Sequence, residues 1–145
     1  MRFVSHLRWF TGAIALSTFL VAPYALANGA GDSEGLARLE KASVKKGDGR
    51  AAICRACHKV IKGEQGGAGP NLWNVFYREK GVVDGFVYSD ALKTAGGEWD
   101  VGSLDQFLKK PGKYIPGTKM TFGGIPSEKD RLNVIAYLRS LSDNP

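Results

Sequence analysis

The heptapeptide Ile53–Lys59, "ICRACHK", contains the only two cysteines of the 145-residue chain, Cys54 and Cys57. Two thiols separated by two residues can form a disulfide, bind a metal ion or attach a cofactor covalently. His58 follows the second cysteine directly and adds a nitrogen ligand to the pair. The choice among these three uses decides both the fold and the function.

A disulfide centre of the thioredoxin type is expected near a βαβ pattern, and strand-like apolar runs are scarce in this chain. A structural zinc site needs four Cys or His ligands, whereas Cys54, Cys57 and His58 supply three from one pentapeptide. C-x-x-C-H is the signature of c-type haem attachment, because thiols three positions apart in a helical turn can each reach one vinyl group. The motif therefore predicts one covalent haem c, with His58 as an axial ligand of the iron.

The first 27 residues resemble a secretory signal peptide. Arg2 and Arg8 precede an uncharged, largely apolar run, which ends in the small-residue pattern Ala25-Leu26-Ala27. We expect cleavage after Ala27 and export to the periplasm. The alternative is a retained membrane anchor, because the 19 uncharged residues of Trp9–Ala27 approach the ~20 that span a bilayer.

Cleavage would leave a mature chain of 118 residues, which suits one compact domain. We assign residues 28–46 to a polar N-terminal extension and residues 47–145 to the domain. The mature chain has 18 basic and 14 acidic residues. This mild excess, without a basic and aromatic tract, argues against a nucleic-acid partner and favours an acidic protein partner.

Met120 is the only methionine that remains after residue 27. It lies in "KYIPGTKMTFGGIP" (Lys113–Pro126), whose proline and glycine content is typical of a loop. A methionine that only fills the core would usually lie in a periodic apolar element. We predict that Met120 is the second axial ligand, the arrangement used for electron transfer.

Helical patterns predict an all-α fold. Ser89 caps a short helix through Lys93, and the spacing of Leu104, Phe107 and Leu108 predicts a second that Pro111 ends. Ser127 begins a third, to about Leu141. Partly helical structure is also predicted over Leu36–Cys57, with a break near Gly47-Asp48-Gly49.

From Gly47 to Leu141 the sequence resembles a class I cytochrome c, close to the mitochondrial and bacterial cytochrome c2 group. The motifs that carry the likeness are "CRACHKV", "GPNLWNVFYREKG", "FVYSDALK", "LDQFLKKPGKYIPGTKM" and "RLNVIAYLRSL". This resemblance implies the small all-α cytochrome c fold, helices and loops wrapped around one covalent haem.

The resemblance also implies site roles. The Pro70 carbonyl would accept a hydrogen bond from His58, and Phe122 would lie near the exposed haem edge. Four residues match positions around the haem propionates: Arg78, Tyr88, Trp99 and Thr118. Lys59, Lys113 and Lys119 match lysines that meet acidic faces of membrane redox complexes.

Two departures from the family pattern carry expectations. Phe107 stands where many members have a tyrosine near the methionine sulfur, so we expect the potential and the strength of the methionine ligand to differ from theirs. Arg50-Ala51-Ala52-Ile53 replaces an expected aromatic, so the helix contact at Gly47 and Tyr137 should be less filled.

We therefore predict a monomeric periplasmic one-electron carrier, an electron-transfer protein and not an enzyme. It would take electrons from a quinol-oxidising, cytochrome bc1-type complex and pass them to a terminal oxidase or a photosynthetic reaction centre. Membrane contact would be transient. The alternatives are a carrier anchored by a retained N-terminal segment, and a peroxidase-like haem enzyme with a labile Met120 ligand.

Overall fold

The computed structural model describes residues 27–145. Residues 1–26 of the predicted leader lie outside the described residues. The elements are α1 (Ala27–Leu39), α2 (Val44–Arg50), a 3-10 helix (Ala51–Ala56), α3 (Asp90–Lys93), α4 (Val101–Lys109), α5 (Pro111–Tyr114) and α6 (Glu128–Ser140). The all-helical expectation is confirmed. Within the described chain, the one pairing of extended backbone is an isolated bridge between Glu79 and Glu98.

Side-chain caps begin the three helices that the sequence predicted. The hydroxyl of Ser89 accepts a hydrogen bond from Leu92 N (3.2 Å), and that of Ser127 accepts one from Asp130 N (3.2 Å). Asp100 caps α4 in the same way. Each side chain satisfies a backbone donor that has no partner inside the helix.

The crossing of α2 and α6 forms the centre of the core. Val134 and Ile135 of α6 are fully buried there. Gly47 of α2 is required at the crossing, because an added Cβ would lie 1.9 Å from the Asn133 carbonyl oxygen. The two backbones can approach so closely only without a side chain at residue 47.

The predicted break near Gly47-Asp48-Gly49 is wrong. Residues 44–50 form one continuous helix, and the interruption falls earlier, between Leu39 and Val44. Ser43 caps the second helix by accepting a hydrogen bond from Lys46 N. Tertiary packing of Gly47 against α6 outweighs the low helix propensity of glycine.

Arg55 takes part in the contact where an aromatic residue was expected. Its guanidinium lies 5.8 Å from the centroid of the Tyr137 ring and donates to the Tyr137 hydroxyl (3.1 Å). Nearby, Ala51 is buried. The Arg55 guanidinium therefore packs over the Tyr137 ring in a cation–π contact.

Helix α1 packs against α4 and α6. Leu39 is buried, and an added Cβ at Gly35 would lie 2.8 Å from Val101 Cβ. Tyr77 donates a hydrogen bond from its hydroxyl to Asp32. No helix in the described part of the chain has the length and apolarity needed to cross a membrane.

Candidate functional site

The 3-10 helix and the turn that follows it bring the two cysteines and the histidine together. The N–H groups of Cys57 and His58 both donate to the Cys54 carbonyl oxygen, at 3.1 and 2.9 Å. The two cysteines form no disulfide with each other, and burial raises the pKa of the Cys54 thiol. All three side chains line one cavity.

Two backbone contacts fix the His58 ring. Its Nδ1 lies 2.7 Å from the Pro70 carbonyl oxygen and donates to it, which leaves Nε2 available to a ligand. Burial lowers the pKa of His58, and the neutral imidazole is the form that binds a metal. An added Cβ at Gly69 would lie 2.3 Å from His58 Cε1, so only glycine lets this loop lie against the ring.

The cavity has a volume of about 320 Å³ and a mostly apolar wall, within the usual range for cofactor pockets. The 3-10 helix, α3, α4, α6 and several loops contribute to it. Its apolar side chains include Leu72, Val75, Phe86, Val87, Leu92, Leu104, Leu108 and Leu138. The spacing of Leu104 and Leu108 assigned them to one helix face without distinguishing cavity from core.

Met120 lines the same cavity as His58 and both cysteines. It is half-buried in an extended segment, and its N–H donates to the Thr118 hydroxyl at 3.3 Å. The structure therefore brings together a thioether, an imidazole and two thiols. These are the four side chains that a covalent, His/Met-ligated haem requires.

Arg78, Tyr88, Trp99 and Thr118, expected around the propionates, also line the cavity. Arg78 donates to the carbonyls of Trp73 (2.9 Å) and Asn71 (3.1 Å), and it forms no ion pair with any described residue. Burial lowers the pKa of Arg78. A half-buried guanidinium held only by carbonyls suits an anionic group in the cavity.

The sequence patterns did not indicate the buried cation Lys80, which is 8% exposed. Its ammonium donates to the carbonyls of Gly96 (3.0 Å) and Glu98 (2.8 Å) and lies 5.2 Å from the centroid of the Trp99 ring. Burial lowers the pKa of Lys80. No local pattern marks Lys80, because its partners are backbone carbonyls of residues 96 and 98, which are distant in sequence.

Phe107 lines the cavity and packs on Trp99, with ring centroids 4.8 Å apart. Phe122 is half-buried against the core, outside the cavity lining. Of the three predicted docking lysines, Lys119 lines the cavity, whereas Lys59 and Lys113 are exposed and do not. Lys59 lies 4.0 Å from Glu64.

The donor set fits haem c. Two thiols can form thioethers, neutral His58 and the Met120 sulfur can bind iron, and the cavity offers apolar walls together with the uncompensated Arg78 cation. Thioether bonds would make the cofactor a permanent part of the core.

Comparisons with known proteins agree with this chemistry. The family model described as cytochrome c matches residues 44–142. The "cytochrome c homolog" of Bradyrhizobium diazoefficiens is 45% identical over 108 residues, which cover 74% of this chain and 59% of that protein. Cytochrome c2 of Rhodoblastus acidophilus is 48% identical over 85 residues, covering 59% of this chain and 79% of that protein. The solved structure of cytochrome cH from Methylobacterium extorquens superposes with a TM-score of 0.64 at 41% identity, covering 68% of this chain and 98% of that one.

Proposed function

We propose, from the premise that this chain belongs to the cytochrome c family, that it is a periplasmic one-electron carrier whose haem iron is bound by His58 and Met120. Members of this family transfer electrons and are not enzymes. The chain carries haem c covalently through Cys54 and Cys57. When bound, the haem supplies an iron that alternates between the ferric and ferrous states.

The chain's own residues keep the iron environment constant during this change. His58 is held by the Pro70 carbonyl, and the Gly69 backbone lies against the ring. The apolar cavity walls exclude water, and a thioether ligand favours the reduced iron, which raises the potential. A site that rearranges little adds little to the barrier for electron transfer.

Arg78, Tyr88, Trp99 and Thr118 are proposed to surround the propionates. Buried carboxylates need donors or cations, and these side chains offer a guanidinium, two hydroxyls and an indole N–H. The support is their common position in the cavity wall and the absence of an ion-pair partner for Arg78 among the described residues.

Lys59, Lys113 and Lys119 are proposed as a docking group for acidic faces of membrane complexes. The donor would be a cytochrome bc1-type complex, and the acceptor an oxidase or a reaction centre. All three lysines are exposed. Charges at the rim of an interface act mainly on association rate and its salt dependence.

Export is supported by the leader-like pattern of residues 1–27. The mature protein is proposed to begin at Asn28 and to act as a monomer in the periplasm. Mass spectrometry of the native protein tests this start. A mass that includes residues 9–27 would instead support the anchored alternative.

The observation that carries the proposed ligand set is that Met120 and His58 line one cavity with both cysteines. We expect Met120→Ala to keep its covalent haem while binding imidazole at the ferric iron at least about tenfold more tightly. Ile61→Ala removes an exposed apolar side chain outside the cavity lining and is the control. Unchanged imidazole affinity in Met120→Ala would exclude Met120 as the ligand.

The docking group is tested by charge reversal at Lys119. With an acidic redox partner, we expect Lys119→Glu to reduce the association rate about tenfold at low salt, with the difference shrinking at high salt. Lys129→Glu at the exposed start of α6 is the control. Equal effects of the two variants would assign the charge effect to net charge alone.

A further inference from the structure

A buried ion pair lies behind the segment that carries Met120. Arg131 of α6 is 4% exposed and Asp105 of α4 is 8% exposed. The Nε of Arg131 donates to Asp105 Oδ1 at 2.7 Å. Its Nη1 donates to the carbonyl oxygens of Ile125 (2.9 Å) and Pro126 (2.6 Å). One guanidinium therefore joins α4, α6 and the end of the Met120 segment.

The Met120 segment, residues 118–126, has few other attachments. Thr118 N donates to the Ile115 carbonyl (3.1 Å), and Ile125 N donates to the Leu108 carbonyl (2.8 Å). Between these points, residues 119–124 make no backbone-to-backbone hydrogen bond within the described chain. The position of Met120 thus depends on how firmly the two ends of the segment are held.

Helix α1 adds a second cation to the same carboxylate. Arg38 Nη2 lies 3.4 Å from Asp105 Oδ2 and 2.6 Å from Glu128 Oε1 at the start of α6. Both oxygens of Asp105 are therefore engaged by guanidinium groups. Arg38 lies outside the residues 44–142 that the family model matches.

We propose that Asp105 is a positioning residue for the Met120 sulfur. It acts by holding the Arg131 guanidinium on the Ile125 and Pro126 carbonyls. Arg38 of α1 strengthens this hold on Arg131. The inference rests on the proposed role of Met120 as an iron ligand. Asp105 orients the Arg131 guanidinium. The guanidinium then fixes the point where the Met120 segment returns to the core. Without the carboxylate, the buried guanidinium loses its compensating charge and its fixed orientation.

Imidazole binding to the ferric protein measures the opening of Met120, because imidazole binds only when the sulfur has left the iron. We expect Asp105→Asn to raise the imidazole affinity about tenfold, since it breaks a buried charge pair. For Arg38→Gln we expect a smaller rise, about two- to threefold, because Arg38 is partly exposed and Asp105 keeps Arg131. The absorption band of the sulfur–iron bond should weaken in the same order.

Two control variants separate positioning from general stability. Asp130→Asn removes an exposed α6 carboxylate that pairs with Arg50 (2.7 Å) and does not touch the segment, so its imidazole affinity should equal that of the parent. Val134→Ala removes buried methyl groups from α6 and lowers global stability without touching the pair. At equal loss of stability, Val134→Ala should open Met120 less than Asp105→Asn does.

The proposal is overturned if Asp105→Asn and Arg38→Gln bind imidazole as the parent does, or if Val134→Ala loosens Met120 as much as an equally destabilised Asp105→Asn. Arg38→Gln alone decides the matter if Asp105→Asn does not fold. Failure of the ligand assignment itself looks different. In that case Met120→Ala, too, would bind imidazole with parental affinity.

Discussion

The molecule has two contrasting sides. On the helix side, α1, α2, α4 and α6 meet; the cavity side is formed mainly by residues 66–88 and 116–126. On the helix side the chain packs on itself: Val134 and Ile135 are fully buried, and Gly47 lets two helices touch. On the cavity side, apolar side chains such as Phe86 and Val87 line a space, and Val87 is 74% exposed. The helix side is thus stabilised by protein contacts, and the cavity side by the group that fills the cavity.

The largest expected effect comes from removing the cofactor. We expect the double substitution Cys54→Ala, Cys57→Ala to abolish covalent haem and to cost more than about 4 kcal/mol of unfolding free energy, since a tightly bound group stabilises only the folded state. Amide exchange should accelerate most in residues 66–88 and 116–126. Ile53→Ala, at an exposed neighbouring residue, is the control. Uniform acceleration across the helix and cavity sides would remove the contrast between them.

The next effect tests the helix side alone. We expect Gly47→Ala to cost about 3 kcal/mol or more, because a Cβ placed 1.9 Å from the Asn133 carbonyl oxygen must separate α2 from α6. Gly49→Ala in the same helix meets no atom within 4 Å and should stabilise by about 0.5–1 kcal/mol. Urea unfolding measures both variants. Similar results for the two would show that the helices do not require the close approach at residue 47.

A smaller effect on stability is expected from Gly69→Ala on the cavity side, about 1–3 kcal/mol. The added Cβ would lie 2.3 Å from His58 Cε1, so the ring must turn away from the Pro70 carbonyl. We therefore expect a shifted midpoint potential, whereas Gly123→Ala, in open space, should leave it unchanged. Redox titration with visible detection compares the two variants. If Gly69→Ala kept the parental midpoint potential, the loop that carries residue 69 would have moved and the His58 ring would have kept its position.

The smallest effect concerns the C-terminal tail, outside both sides. Asp143 accepts hydrogen bonds from Lys62 (2.7 Å) and Asn74 (2.9 Å), which lower the pKa of Asp143 below its ordinary value of 3.8. A lowered carboxyl pKa contributes stability above pH 3.8, and this stability is lost as the pH falls through the folded-state pKa. The urea midpoints of the parent and Asp143→Asn should differ at pH 7 and converge on acidification. Divergence at low pH would contradict this sign.

Sequence patterns predicted the helix side well because its signals are local. Ser127 is a cap that precedes periodic apolar residues, and the structure confirms the helix that follows it. The break near Gly47 was wrong because propensity ignores a partner helix 86 residues away in the sequence. Helix α1 gave little signal, since it is rich in small and polar residues; among its residues with described burial, Leu36 and Leu39 pack on the core.

The chemistry of the candidate site could be predicted because Cys54, Cys57, His58 and Met120 are scarce residues in fixed patterns. The buried charged residues around the site could not be predicted in this way. The Asp105–Arg131 pair and the Lys80 ammonium depend on residues that are distant in sequence or on backbone carbonyls. Charged side chains are usually exposed, so composition assigns all three of these residues to the surface.

The burial of Lys80 has a practical consequence for mapping the docking face with amine-labelling reagents. Its ammonium is enclosed by two carbonyls and the Trp99 ring, whereas Lys62 and Lys93 are open to solvent. Acetylation should therefore mark the exposed lysines rapidly and leave Lys80 unmodified in both the free and the partner-bound protein. In such an experiment Lys80 would serve as an internal negative control. Any labelling of Lys80 would report molecules that have unfolded rather than molecules that have dissociated.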